Sequence, residues 1–206
     1  YEISNGAFDV TSGVLRRVWR FDGSDRIPSS EAVAAILPLV GWSSLTWRRP
    51  TLTLPRGMEL DFGGFGKEYA ADRVAALLAK AAPQTSILVN LGGDLCVTRP
   101  RREGRPWVVG IEDPAQMGIP RVLEIRQGAL CTSGDARRFL VADGVRYGHI
   151  LDPRTGWPPS NAPRSVTVAA ATCTEAGLLS TLAMLAGAGA QEFLAAQGVP
   201  YWVISD

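Results

Sequence analysis

Asp61-Phe62-Gly63-Gly64-Phe65-Gly66-Lys67 follows the extended run Met58 to Asp61 and precedes a segment in which Tyr69, Ala70, Val74, Leu77 and Leu78 recur every three or four residues up to Lys80. The spacing predicts a strand end, a glycine turn and a helix over 67–80 whose apolar stripe is that set. Downstream, the β-branched run Ser86 to Leu91 stops at Gly92-Gly93, and Leu95 to Thr98 and Trp107 to Ile111 continue the pattern across a basic turn. These read as consecutive antiparallel strands.

Working outward, residues 30–41 predict a helix capped by Ser30 and ended at Gly41, and Thr46 to Leu54 a strand pair around Arg49-Pro50. Further strands are expected at Val122–Ile125, Ala129–Thr132, Phe139–Ala142, Arg146–His149 and Ser165–Ala170, with Asp143-Gly144 as a hairpin turn. Helices over Ala176–Leu185 and Gln191–Gln197 and a strand over Tyr201–Ile204 complete the chain. The class is α+β, mostly antiparallel sheets with packed helices, in one domain.

The bulk numbers exclude several functions. The 206 residues are 46% hydrophobic and 20% charged, the balance of a folded globular protein. Twenty-one Lys and Arg against 20 Asp and Glu leave a formal charge of +1, too little field to gather nucleic acid. The basic groups Arg16, Arg17, Arg20 and Arg99, Arg101, Arg102, Arg105 read as solvated faces. Cys96, Cys131 and Cys173 lack the spacing of a zinc site or disulfide framework, and no apolar run approaches the ~20 residues that span a bilayer. Because Tyr1 opens directly on a patterned segment, the chain is expected to be a fragment or a processed product.

Two segments carry candidate chemistry. The glycine turn lets bare backbone approach an anion at a helix N-terminus, with Lys67 in reach of a phosphate oxygen. His149, the only histidine, stands in a polar stretch with Asp152, Arg154 and Thr155, where an imidazole can accept a proton near neutral pH. Asn90 to Asp94 reads as a hairpin turn, and Thr132–Asp135 and Thr174–Ala176 as turns or helix caps.

Taken in order, Ser4–Thr11, Asp61–Arg73, Val89–Asp94, Val109–Pro114, Thr132–Arg137 and His149–Gly156 resemble the ApbE family of FAD:protein FMN transferases across nearly the whole chain. The resemblance implies a T-fold-like domain in which FAD and Mg²⁺ are bound and a Ser or Thr hydroxyl of a target flavoprotein attacks the FMN phosphorus while AMP leaves. It assigns His149 as base. It assigns Ala7, Phe8, Asp9, Asp61, Lys67 and Leu151 to the flavin nucleotide, and Gly64, Ser180 and Thr181 to the metal.

Two departures temper that assignment. Where the family has an aspartate as its main Mg²⁺ ligand, this chain has Gly177. Glu175, two residues away and about 200° around the helix, is expected to face elsewhere. The family's N-terminal segment, which covers the flavin ring and carries any membrane anchor, is expected to be missing. A catalytically silent FAD-binding module and an FAD pyrophosphatase releasing FMN and AMP are therefore alternatives. By family the location is the bacterial periplasm or inner membrane surface, with the cytoplasm left open, and no nucleic-acid partner is implied.

Overall fold

The computed structural model describes residues 1–22, 24–112, 121–136 and 138–205. Asp113 and Pro114 of one quoted stretch and Arg137 of another lie outside the described residues. In chain order the elements are α1 (Ser30–Ile36), β1 (Thr46–Arg48), β2 (Thr51–Thr53), α2 (Gly66–Ala81), β3 (Leu88–Leu91), β4 (Asp94–Val97), β5 (Trp107–Ile111) and β6 (Arg121–Ile125). There follow β7 (Gly128–Gly134), β8 (Phe139–Ala142), β9 (Val145–Gly148), β10 (Ser165–Ala170), α3 (Cys173–Leu185), α4 (Ala190–Gln197) and β11 (Tyr201–Ile204). All strand pairs among them are antiparallel, so the α+β class holds.

The chain divides into two compact units, and the boundary falls inside the glycine turn: Tyr1–Phe62 with Arg137–Ser160, and Gly63–Ala136 with Asn161–Asp206. The first unit gathers Leu15, Trp19 and Leu140 with Phe21, Ile36, Tyr147, Leu151 and Trp157 into an aromatic-rich core. Trp19 stacks on Phe21 and meets Trp157 edge-on, and its indole N–H donates to the Gly156 carbonyl at 2.8 Å, so the ring is satisfied at both its apolar and its polar end.

The second unit is built on a five-stranded sheet of order β11-β10-β7-β4-β3. Alternation along β7 sorts its side chains. Cys131 points to α3, its thiol donating to the Cys173 carbonyl, while Leu130 joins Val97 and Ile125 under the β5–β6 hairpin. α2 and α3 pack on each other and on the sheet.

Several local expectations fail for identifiable reasons. Ser29 caps α1, its Oγ accepting from the Ala32 amide at 3.2 Å, and the helix stops at Ile36 in a 3₁₀ turn, where Pro38 brings no amide hydrogen. Met58 to Asp61 forms no ladder; the Asp61 amide donates instead to the Val10 carbonyl. Thr172, rather than Thr174, provides the side-chain cap of α3. β4 takes β7 as its second neighbour, and among the described residues β5 pairs only with β6.

The largest correction concerns α2. Its buried residues are Glu68, Ala71 and Ala75, whereas Tyr69 and Leu77 are 55% and 62% exposed and Val74 and Leu78 also face outward. Small side chains let the helix approach its neighbours closely, and that close face is the one the large apolar residues leave.

Candidate functional site

In the second unit the glycine turn delivers Lys67 to the first turn of α2, as predicted. Its ammonium pairs with Asp94 Oδ2 and lies 3.4 Å from Glu68 Oε1. Burial works against the charge on Lys67, but the two carboxylates outweigh it and hold its pKa above the ordinary lysine value. Asp94 is buried at the start of β4, opposite Leu91 across the hairpin. Glu68 is only 6% exposed, and among the described residues its Oε2 has no hydrogen-bond partner.

Facing Glu68 is Gly177 of α3. A Cβ there would stand 2.5 Å from Glu68 Cγ and 3.1 Å from Cδ, so Glu68 already fills the space of a side chain at 177. One turn further along α3, the buried Ser180 hydroxyl donates to the Gly177 carbonyl at 3.0 Å. Ser133 of β7 links Ser180 at 2.8 Å and Thr181 at 3.0 Å in a chain of hydroxyls. Ser180 is thus committed to packing α3 on β7, while Thr181 keeps partial exposure. Gly64 sits half-buried in the turn before α2.

The same unit holds a second group, Asp72, Cys96 and Cys173, with one ligand atom of each within 4.8 Å of the others. Its chemistry is that of a helix cap. Asp72 accepts from the Cys173 and Thr174 amides at 2.7 and 2.9 Å and from the Thr174 hydroxyl at 2.6 Å, satisfying the N-terminus of α3. Hydrogen bonding with a neighbouring thiol, followed by burial, pushes both Cys96 and Cys173 far above the usual thiol range, so they stay protonated.

In the first unit, Asp9 caps a 3₁₀ helix, Val10–Arg17, that the sequence does not reveal. Its Oδ1 accepts from the Thr11 amide and hydroxyl at 2.8 and 2.7 Å and its Oδ2 from the Trp42 amide at 2.8 Å. This buried carboxylate therefore ties residues 9–11 to the chain near Trp42. Ala7 and Phe8 are half-buried just before it, with the Phe8 amide donating to Ser4 Oγ. Asp61 is exposed, with the Arg16 guanidinium 4.0 Å from its Oδ2.

His149 leaves the end of β9. Its Nδ1 lies 3.1 Å from the Arg138 carbonyl, which can only accept, so Nδ1 carries a hydrogen and in the neutral ring the lone pair belongs to Nε2. The following loop is fixed at several points. Leu151 joins the aromatic core, Asp152 clasps Arg154 through Nε and NH2, and the Asp152 carbonyl accepts from the Thr155 and Gly156 amides. Burial raises the Asp152 pKa, but Arg154 outweighs it and holds the carboxyl below its ordinary value.

Of the sequence-predicted residues, Gly64, Lys67, Ser180 and Thr181 fall in the second unit, and Ala7, Phe8, Asp9, Asp61, His149 and Leu151 in the first. Glu68 and Asp94 were missed. The available signal for Glu68 was its i, i+3, i+7 spacing with Ala71 and Ala75, which places a carboxylate on a small-residue helix face.

Comparison with known proteins agrees with the family resemblance. The ApbE family model matches residues 1–203. The FAD:protein FMN transferase of Vibrio cholerae serotype O1 is 34% identical over 192 residues, covering 90% of this chain and 57% of the relative. That of Escherichia coli K12 is 32% identical over 214 residues, covering 98% and 60%. Among solved structures, the ApbE protein of Thermotoga maritima matches with a TM-score of 0.86 at 33% identity over 98% of this chain and 68% of its own. The flavin transferase ApbE of Vibrio cholerae matches at 0.82 and 32%, over 98% and 66%. The chain belongs to the ApbE family, and it spans less than two thirds of the length of these curated relatives.

Proposed function

We propose that the chain, taken as one ApbE-like domain, transfers FMN from FAD to a Ser or Thr hydroxyl of a target flavoprotein. His149 accepts the hydroxyl proton at Nε2, the hydroxyl oxygen bonds to the FMN phosphorus, and the bond to AMP breaks. Lys67 neutralises phosphate charge, which its two carboxylates keep it protonated to do. Ala7, Phe8, Asp9, Asp61 and Leu151 hold the flavin nucleotide. Asp9 and Leu151 do so mainly by fixing their segments, given their hydrogen bonds and packing.

Mg²⁺ would be held near Gly64, Ser180 and Thr181 and supply further neutralisation of the pyrophosphate. Carbonyl and hydroxyl oxygens are suitable hard donors. The buried Glu68 oxygen without a hydrogen-bond partner fits a cation there. A periplasmic or membrane-surface location belongs to the same reading; among the described residues no helix is long and apolar enough to cross a membrane.

The observation that carries the reading is the His149 tautomer, fixed by the Arg138 carbonyl, which gives the ring a proton-accepting Nε2. The test incubates the chain with FAD, Mg²⁺ and a Ser/Thr peptide from a flavinylated protein. We expect an FMN mass gain on the peptide with AMP release, and a loss of about 10²–10⁴-fold in rate for His149→Ala with FAD affinity retained. FMN and AMP without peptide labelling would identify an FAD pyrophosphatase, and retention of intact FAD a silent binding module.

A further inference from the structure

We infer that Glu68 is this chain's anionic ligand for a divalent cation, supplied from α2 through the space that Gly177 leaves open on α3. Three observations converge on it.

First, a carboxylate 94% buried between packed helices is costly unless it is paired, yet one of its oxygens has no hydrogen-bond partner. Second, charge in the cluster does not balance. Glu68 and Asp94 are both buried, and among the described residues the one ammonium beside them, Lys67, is shared between the two. One negative charge is left over, the condition a hard cation corrects.

Third, the volumes are reciprocal. Any side chain at 177 would collide with Glu68 Cγ at 2.5 Å, so a carboxylate borne on α3 and the present Glu68 rotamer exclude each other. Thr181 is four residues beyond Gly177, on the same face of α3, and adds a neutral oxygen at the spacing at which helix side chains become neighbours. Glu175, by contrast, is exposed.

The inference deepens the transferase reading, but its test needs no flavin. The chain is titrated calorimetrically with Mn²⁺ alone, beside Glu68→Gln and the exchange variant Glu68→Gly/Gly177→Asp. Wild type should bind one ion, Glu68→Gln should lose affinity about ten-fold or more, and the exchange variant should recover it. Thermal melts without metal should place Glu68→Gln no lower than wild type, because the amide removes an uncompensated buried charge. Lost binding is then lost ligation and not lost folding.

Equal Mn²⁺ affinity in Glu68→Gln and wild type, or no binding by wild type, would overturn the inference. Glu68-dependent Mn²⁺ binding in a chain that yields no FMN-peptide upholds the ligand and sinks the transferase reading. FMN transfer at full rate by Glu68→Gln does the reverse.

Discussion

His149 and Glu68 are held by opposite means. The histidine follows the end of a short hairpin, and its surroundings are fixed mainly by backbone: carbonyls of Arg138 and Asp152, an indole bond to Gly156 and a clasp between Asp152 and Arg154. Glu68 stands on a sixteen-residue helix and is fixed by what packs on it, a neighbouring helix whose glycine gives it room. Loop geometry should therefore fail when the backbone is altered, and helix geometry when volume is altered.

Two glycines probe that difference. Gly156 has φ +73°, and a Cβ there would lie 2.6 Å from Val33 Cγ1 and 3.4 Å from both Leu15 Cδ2 and Leu37 Cδ1. Gly156→Ala combines a left-handed backbone with overpacking and should cost about 2–4 kcal/mol. Denaturant unfolding with an unchanged m-value measures it, and a cost near zero would show that the His149 loop is not pinned as described.

Gly177 is helical, and its crowded neighbour is a long, flexible side chain. Gly177→Ala gains up to about 1 kcal/mol of helix propensity and displaces Glu68, so the net change in stability should stay within about 1 kcal/mol. Mn²⁺ affinity should nevertheless fall. Parallel melts and titrations separate the two effects, and a variant that binds the ion normally would mean that Glu68 need not occupy that space.

The smallest effect is expected at Asp152. Its folded pKa lies below the ordinary 3.8, so its pairing with Arg154 contributes stability that is present above that value and lost as pH falls through the folded pKa. Arg154 is more than half exposed, which limits the contribution to under about 1 kcal/mol. Asp152→Asn should lower neutral stability by that same amount, under about 1 kcal/mol, and flatten the acid limb of a stability profile below about pH 4, where wild type loses the contribution too. An unaltered acid limb would show the clasp to be energetically idle.

Local order was legible where the signal is local. The helix after Gly66, the Asp143-Gly144 turn with φ +51° and +75°, and the β3–β4 hairpin all follow from neighbouring residues. The partner of β5 was not, because strand choice depends on what covers distant faces; β5 pairs with β6, and their hairpin covers a cluster that includes Leu130 of β7. Nor was the buried side of α2. Tyr69, Val74, Leu77 and Leu78 dominate the periodicity, yet the packed surface is made of Ala71 and Ala75 with Glu68 between helices. The candidate site suffered from the same bias. Gly177 was readable as a missing carboxylate, but its replacement lies more than a hundred residues earlier and only the fold brings it back.

The three cysteines have a practical consequence for spectroscopy. Cys96, Cys131 and Cys173 are all buried and free, and Cys96 and Cys173 are held as thiols. Maleimide reagents attack exposed thiolates. A single cysteine introduced on the outward face of α2, at Leu77 for example, would therefore take a fluorophore or spin label selectively, with the native residues left in place.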